Sequence, residues 1–432
     1  MSIWQKQIRE LSFPALEGNT DVDVLIVGGG IAGIMIAHEL TLRGVQCIVV
    51  ESGKICSGVT KNTTAKLTVG HGLLYDRLIK KYGKENAGRY LGIQTEALDK
   101  LKALAAECEC DYNGAPSYVY SLNDRAAIES EVLALNSLGL NAVYRETPEL
   151  PFRTVGAVCI EGQGQFNPLK FLSHIANGLK IYENTKVLEL GPNTALTNRG
   201  VIKCRKMIIA THFPIINKHG LFFVKMYQHR SYSLALTGAG QISGMYVSDK
   251  DTGLSFRQHG EYLILGGGGH RTGKSGGSYQ ELLKCREQYY KDSTVVDMWG
   301  AQDCITLDGM PYIGRYSNST PDLYVATGFN KWGMTSSMVS ALLLADIITD
   351  RKNECEALLS PSRSILHPRL ASNIFEAALG MLTPTVPRCP HLGCALKYNK
   401  AEHSWDCPCH GSRFGEDGRL ITGPATDGKK LV

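Results

Sequence analysis

The stretch VLIVGGGIAGIMIAHEL, Val24 to Leu40, leaves few folds open to this chain. Val22 to Val27 reads as a short buried strand. Gly28, Gly30 and Gly33 follow as G-x-G-x-x-G, and Ile34 to Leu42 has a helical pattern with little polar content. A second strand, QCIVV, runs from Gln46 to Val50 and ends at Glu51. Strand, glycine turn, helix, strand and acidic residue form the context that a dinucleotide fingerprint requires. Gly28 permits the tight turn, Gly30 lets backbone approach a pyrophosphate, and Gly33 allows close helix–sheet packing. The helix N-terminus offers partial positive charge to phosphates, and Glu51 can accept ribose hydroxyls.

Composition excludes several classes. With 432 residues, 43% hydrophobic and 20% charged, the chain can build two or three globular domains. Its net charge of +5 has no dense basic run beyond IKKYGK, so nucleic acid is not an expected partner. No apolar run reaches the roughly 18 residues that span a bilayer; MVSALLLADII reads as a buried helix. The first residues lack the apolar centre of a signal peptide, so a cytoplasmic location is expected. Nine of the 13 cysteines are scattered before residue 360 and read as inert thiols.

Further along, SGVTKNTTAKLTVGHGL is a polar, threonine-rich loop directly after the second strand. A strand in KMIIATHFP ends in a small-residue turn at Ala210 and Thr211. DLYVATG is a later strand, followed by a glycine-broken loop and a long apolar helix. GGGG, Gly266 to Gly269, follows a strand but opens no helical pattern, so it reads as a loop rather than a nicotinamide site. A substrate that reduces the bound dinucleotide directly is then expected.

GGGIAG with Glu51, the TTAK loop, YENTKVLEL, ATHF and DGMPYIG…LYVATGFNKWGMT together resemble the FAD-dependent amine and D-amino-acid oxidase family, in its glycine-oxidase-like branch. The resemblance covers roughly residues 20–352. It implies an α/β, Rossmann-like FAD-binding domain with an inserted mixed or antiparallel β substrate domain. The FAD-binding segments are expected at about 20–75, 152–215 and 305–352, and the cap segments at about 76–151 and 216–304. Family flavin contacts map onto Gly28, Gly30, Gly33, Glu51, Ser52, Ala65, Lys66, Val187, Ala210, Gly328, Gly333 and Met334. Such oxidases place an arginine shortly before D-G-x-P to clamp a substrate carboxylate bidentately. Here Gln302 and Asp303 stand in that stretch. Asp303 suits a cationic or hydroxylated substrate or a structural role, and Arg257 is the nearest alternative anion binder. His71, His212, His229 and His270 are acid/base candidates, each more commonly structural. Asp303, Arg257 and His270 are carried as the catalytic candidates.

The tail holds CPHLGCALKYNKAEHSWDCPCHGS, from Cys389 to Ser412. Four cysteines and three histidines in this stretch admit zinc or disulfides, although Cys-x-His is tighter than the usual paired zinc spacing. The pattern C-x-H-x-G-C…C-x-C-H-G-S resembles the Rieske [2Fe–2S] motif. The resemblance implies Cys389 and Cys407 on one iron, His391 and His410 on the other, and a Cys394–Cys409 disulfide. Imidazoles in place of two thiolates raise the cluster potential. Ser412 matches a serine that donates to a cluster sulfur, and Gly423, Pro424 and Ala425 match the shielding proline loop. Phe414 stands where the highest-potential members carry tyrosine, implying a lower potential.

The expected architecture is a flavoprotein over 1–380 and a shortened, small all-β Rieske unit over 381–432, too small to bury much core alone and so packed against the body. A flavin takes electrons in pairs and a Rieske centre carries one. The expected function is oxidation of a small amine or hydroxylated molecule, with electrons passed singly to an external carrier. A reductase running in the opposite direction and a redox sensor use the same parts.

Overall fold

The computed structural model describes every residue except 9–10, 147–148, 216–219, 275–277, 367, 384–386, 392, 410, 426–427 and 429–432. The apolar run forms the strand Thr20–Val27, its last four residues buried. It pairs in parallel with Cys47–Val50 on one side and Val201–Ile209 on the other. The register aligns Val27 with both Val50 and Ile209, so three strands end in one row. Gly28, Glu51 and Ala210 are the next residues of those strands. Gly28 N donates to Val50 O at 2.9 Å and Ala210 N to Val27 O at 2.8 Å, holding the row together. The crevice beyond the carboxyl ends of such strands is where open α/β sheets bind ligands.

Five more strands complete this sheet, among them Leu323–Thr327, parallel to Val201–Ile209, and the antiparallel Tyr312–Arg315. The helices Ile31–Leu42 and Gly333–Ile348 pack against each other and are buried on nearly every side. That environment explains the missing polar faces in their sequences.

A second eight-stranded sheet roofs the first. Its longest strands, Met226–Thr237 and Thr294–Thr306, pair along their whole lengths and are antiparallel. The pair Met245–Ser248 and Ser117–Ser121 is parallel, which makes the sheet mixed. Gly156–Ile160 also lies here, although its residues fall within the 152–215 segment assigned to the FAD domain from sequence. Gly266 to Gly269 overturn their reading as a loop: they lie inside the strand Tyr262–Arg271. The ladder slips there between Arg230 and Tyr232, and Gly268 takes φ +58° with no room for a side chain against Ser278. A bulge, not a turn, is what these glycines serve.

The tail forms a four-stranded antiparallel sheet, Lys397–Asn399, Ser404–Asp406, Arg413–Gly415 and Leu420–Thr422. Its core is small: Cys389, Cys394, Leu396, Cys407, Cys409, Phe414 and Ala425. It is joined to the body by the helix Pro368–Leu382, whose Asn373 donates to Val224 O at 2.7 Å. The expected α/β body, inserted mixed sheet and small all-β unit are the architecture found. Among the described residues, no helix is long and apolar enough to cross a membrane.

Candidate active site and cluster site

A cavity of about 1000 Å³ starts at the row of strand ends and runs beneath the roof sheet. Of the residues read from sequence, Gly28, Gly30, Glu51, Ser52, Lys66, Val187, Ala210, Gly333 and Met334 line it. Gly33, Ala65 and Gly328 do not line it. A Cβ on Gly33 would overlap the Gly28 carbonyl oxygen, so glycine there sets the helix against the strand. Gly28 has φ +114°, and a Cβ would sit 2.6 Å from Ala210 O. Glu51 is held by Gly29 N at 2.8 Å and Gly53 N at 2.9 Å, one on each oxygen. Backbone stripped of side chains, a helix N-terminus and a fixed carboxylate fit a dinucleotide.

Arg257 lies outside the lining. It is fully buried, and its guanidinium donates to Thr64 O, to Ala65 O at 3.0 Å and to Phe166 O at 3.4 Å, beneath the TTAK loop. Burial, with Arg257 nearby, pushes the Lys66 ammonium down to about 7. His270 is also set back; its Nε2 and the Tyr232 hydroxyl, which does line the cavity, are 3.0 Å apart. Burial lowers His71 to about 3 and His212 to about 4, so both are neutral near pH 7. His71 Nε2 lies 3.0 Å from Thr335 Oγ1, and its ring stacks on Trp332.

Asp303 lines the roof end of the cavity. Burial pushes its carboxyl up to about 6, against the pull of Lys331 and Arg230. That range suits proton transfer near neutral pH. Arg230, Tyr232 and Lys331 also line this end. Arg230 and Tyr232 lie in no local motif; only strand register brings Arg230 opposite Gln302 and His229 opposite Asp303.

The two tail loops repeat one hydrogen-bond pattern. Cys389 N donates to Cys394 O and Gly393 N to Cys389 O, at 2.8 and 2.9 Å. Cys407 N donates to Ser412 O and Gly411 N to Cys407 O, at 2.8 and 3.0 Å. Gly393 and Gly411 have φ of +73° and +81°, the conformation that lets each loop fold back. Cys389 and Cys407 are buried, and Cys394 and Cys409 are paired as a disulfide. The Sγ atoms of Cys394, Cys407 and Cys409 lie within 4.8 Å of one another. Burial lowers the pKa of His391, favouring the neutral imidazole that metals bind. His410 lies outside the described residues. Two buried thiols and a neutral imidazole on matched loops fit the donor set of a [2Fe–2S] centre.

These loops seat on the roof sheet. Gln302 Nε2 donates to Gly411 O at 2.8 Å, and Thr272 Oγ1 donates to Gln302 Oε1 at 3.1 Å. A Cβ on Gly273 would meet the Pro408 backbone at 2.5 Å. Arg413 and the segment Leu420 to Ala425 reach the cavity and form part of its wall. Ser412 Oγ accepts from Ala425 N at 3.0 Å, tying the shielding loop to the cluster loop.

Residues 23–347 match the family model described as FAD dependent oxidoreductase (DAO), and residues 371–431 match that of the Rieske [2Fe-2S] domain. This chain belongs to the DAO family of FAD dependent oxidoreductases. The family binds FAD, and the Rieske domain binds a [2Fe–2S] cluster. The Rieske 2Fe-2S iron-sulfur protein YhfW of Bacillus subtilis is 33% identical over 99% of this chain and 97% of its own length. Gamma-glutamylputrescine oxidoreductase of Escherichia coli is 24% identical over 78% of this chain and 85% of its own. Among solved structures, L-proline dehydrogenase from P. horikoshii superposes with a TM-score of 0.67 at 20% identity, covering 81% of this chain and 98% of that one. This DAO-family chain is thus a flavoprotein oxidoreductase with a Rieske centre on the same polypeptide.

Proposed function

We propose that this oxidoreductase oxidises a small amine or hydroxylated substrate at the roof end of the cavity and delivers the electrons singly to an external carrier. When bound, FAD supplies acceptance of an electron pair and the Rieske centre supplies one-electron transfer. Oxidation of an amine to an imine releases two electrons and two protons, so two rounds of a one-electron carrier balance one turnover.

The observation that carries this reading is the shared wall. The segment Leu420 to Ala425 of the Rieske unit lines the same cavity as Gly28, Glu51 and Asp303. The residues of this chain divide the work. Gly28, Gly30 and Glu51 would hold the dinucleotide; Cys389, His391, Cys407 and His410 would hold the cluster. Asp303, with its carboxyl near 6, takes a proton from the substrate amine. Trp332, Tyr232 and the segment 420–425 wall the roof end against water. The amine preference is supported by Asp303 standing where a carboxylate-clamping arginine would be sought, and by the substrate named in the gamma-glutamylputrescine relative.

The test is anaerobic addition of an amine and amino-alcohol panel to holoprotein without NAD(P)H, read by visible absorption and electron paramagnetic resonance. Flavin bleaching together with a low-average-g Rieske signal is expected. Bleaching that leaves the cluster oxidised overturns electron delivery through the tail. Bleaching only by a reduced protein donor reverses the direction.

A further inference from the structure

A cavity that takes carboxylates needs a cation presenting its donors inward. Arg230 is placed for this: it lies on Met226–Thr237 and lines the roof end. Its guanidinium is already gripped from the Rieske side. Nε donates to Glu402 Oε2 at 2.6 Å, and Nη2 donates to Glu402 Oε1. This fork-to-fork pairing uses one edge that a substrate carboxylate would need, and it cancels the charge. The pair is nearly buried, with side chains 6% and 15% exposed. Gly300 makes room for it, since a Cβ there would overlap Arg230 Nη2 and lie 2.9 Å from Glu402 Oε1.

Glu402 is itself fixed. Arg413 Nη2 lies 3.0 Å from Oε2, and Arg413 Nε is 3.0 Å from Asp406. Asn399 Nδ2 reaches Glu402 Oε2 at 3.4 Å and the Tyr232 hydroxyl at 3.3 Å. Glu402, Arg413, Asp406 and Asn399 belong to the tail, whereas Arg230 and Tyr232 belong to the flavoprotein. On the neighbouring strand Asp303 pairs with His229, next to Arg230, and Lys331, which also lines the cavity, donates from Nζ to the Asp251 carbonyl at 3.0 Å.

We propose that Glu402 sets the charge preference of the substrate cavity: by occupying Arg230 from the Rieske side, it excludes carboxylates and leaves Asp303 to select a cationic amine. The inference rests on the reading of the roof end as the substrate site. It makes the Rieske unit a specificity element as well as an electron carrier.

The test uses holoprotein and two isosteric probes of opposite charge, benzamidine and benzoate, followed by flavin absorbance and calorimetry. The wild type is expected to bind benzamidine at least tenfold more tightly than benzoate. Glu402→Gln is expected to raise benzoate affinity tenfold or more, and Glu402→Gln with Arg230→Gln to abolish that gain. The shorter Glu402→Asp keeps a buried charge beside Arg413 while drawing back from Arg230. It serves where Glu402→Gln loses FAD or cluster, and a smaller gain is expected. Equal affinities in the wild type overturn the inference. So does an unchanged preference in a loaded Glu402 variant, or a benzoate gain that survives loss of Arg230. Failure of the proposed function would appear separately, as absence of electron transfer to the cluster from any amine.

Discussion

Gln302 offers a direct measure of how firmly the Rieske unit is seated. Its amide donates to Gly411 O at 2.8 Å and accepts from Thr272 Oγ1 at 3.1 Å. Gln302 and Thr272 are 2% and 1% exposed. Gln302→Leu keeps the apolar volume and removes both hydrogen bonds, leaving a carbonyl and a hydroxyl without these partners. Each such orphan costs about 1–3 kcal/mol, so the low end of the sum is about 2 kcal/mol. The loss falls on the junction, because Gly411 belongs to the tail and Thr272 adjoins Gly273, which Pro408 of the tail covers, so that opening the tail returns both orphans to water. At ~1.4 kcal/mol per decade, about 2 kcal/mol corresponds to roughly thirtyfold more frequent opening of the tail. Hydrogen exchange of holoprotein reads this directly. Amides in 387–425 should exchange roughly thirtyfold faster in Gln302→Leu, while those of Thr20–Val27 stay unchanged. Gln302→Glu, of the same size, turns an acceptor toward Gly411 O and should behave no better. Unchanged protection of 387–425 in both variants would refute the seating argument.

Gly33→Ala drives a methyl into the Gly28 carbonyl; overpacking of about 1–3 kcal/mol should weaken FAD retention roughly tenfold or more, read by fluorescence titration of apoprotein. For Asp303, with its carboxyl near 6 and the ionised form needed to accept a proton, kcat/KM for an oxidisable amine should rise ~tenfold per unit below pH 6 and level above it. Asp303→Asn should remove that acid limb, and an intact limb in the variant assigns it elsewhere. Arg257→Met orphans the carbonyls of Thr64, Ala65 and Phe166 and should lower stability by about 3 kcal/mol or more, seen as a lower melting temperature with loss of bound flavin. Cys389→Ser should abolish the Rieske signal and bound iron while flavin absorption persists; iron retained at full stoichiometry would remove Cys389 from the ligand set.

The parts of the site that are local in the chain were legible. Gly28, Gly30, Gly33 and Glu51 announce themselves because turn, helix and acidic residue fall within one strand–helix–strand unit. Cys389 and Cys407 do so because each loop carries its own spacing. Gly266 to Gly269 were misread because glycine is depleted in strands, and nothing nearby in sequence reveals that Ser278 crowds them. Arg257 reads as an anion binder in the sequence because three of its acceptors lie 91 to 193 residues away, on backbone that any residue could supply. Arg230 and Glu402 are 172 residues apart and share no pattern; their meeting depends on how the tail seats on the roof sheet.

Chain order gives the shared wall a consequence for assembly. The segment 420–425 follows every other wall residue in the sequence. While the polypeptide is being made, the pyrophosphate cradle and the roof strands can therefore form around a gap on the Rieske side. Flavin should load more readily before Pro424 and Ala425 dock, and the docked tail should slow its release. A chain whose iron–sulfur assembly is starved should accumulate with flavin bound less tightly, although no flavin contact has been altered.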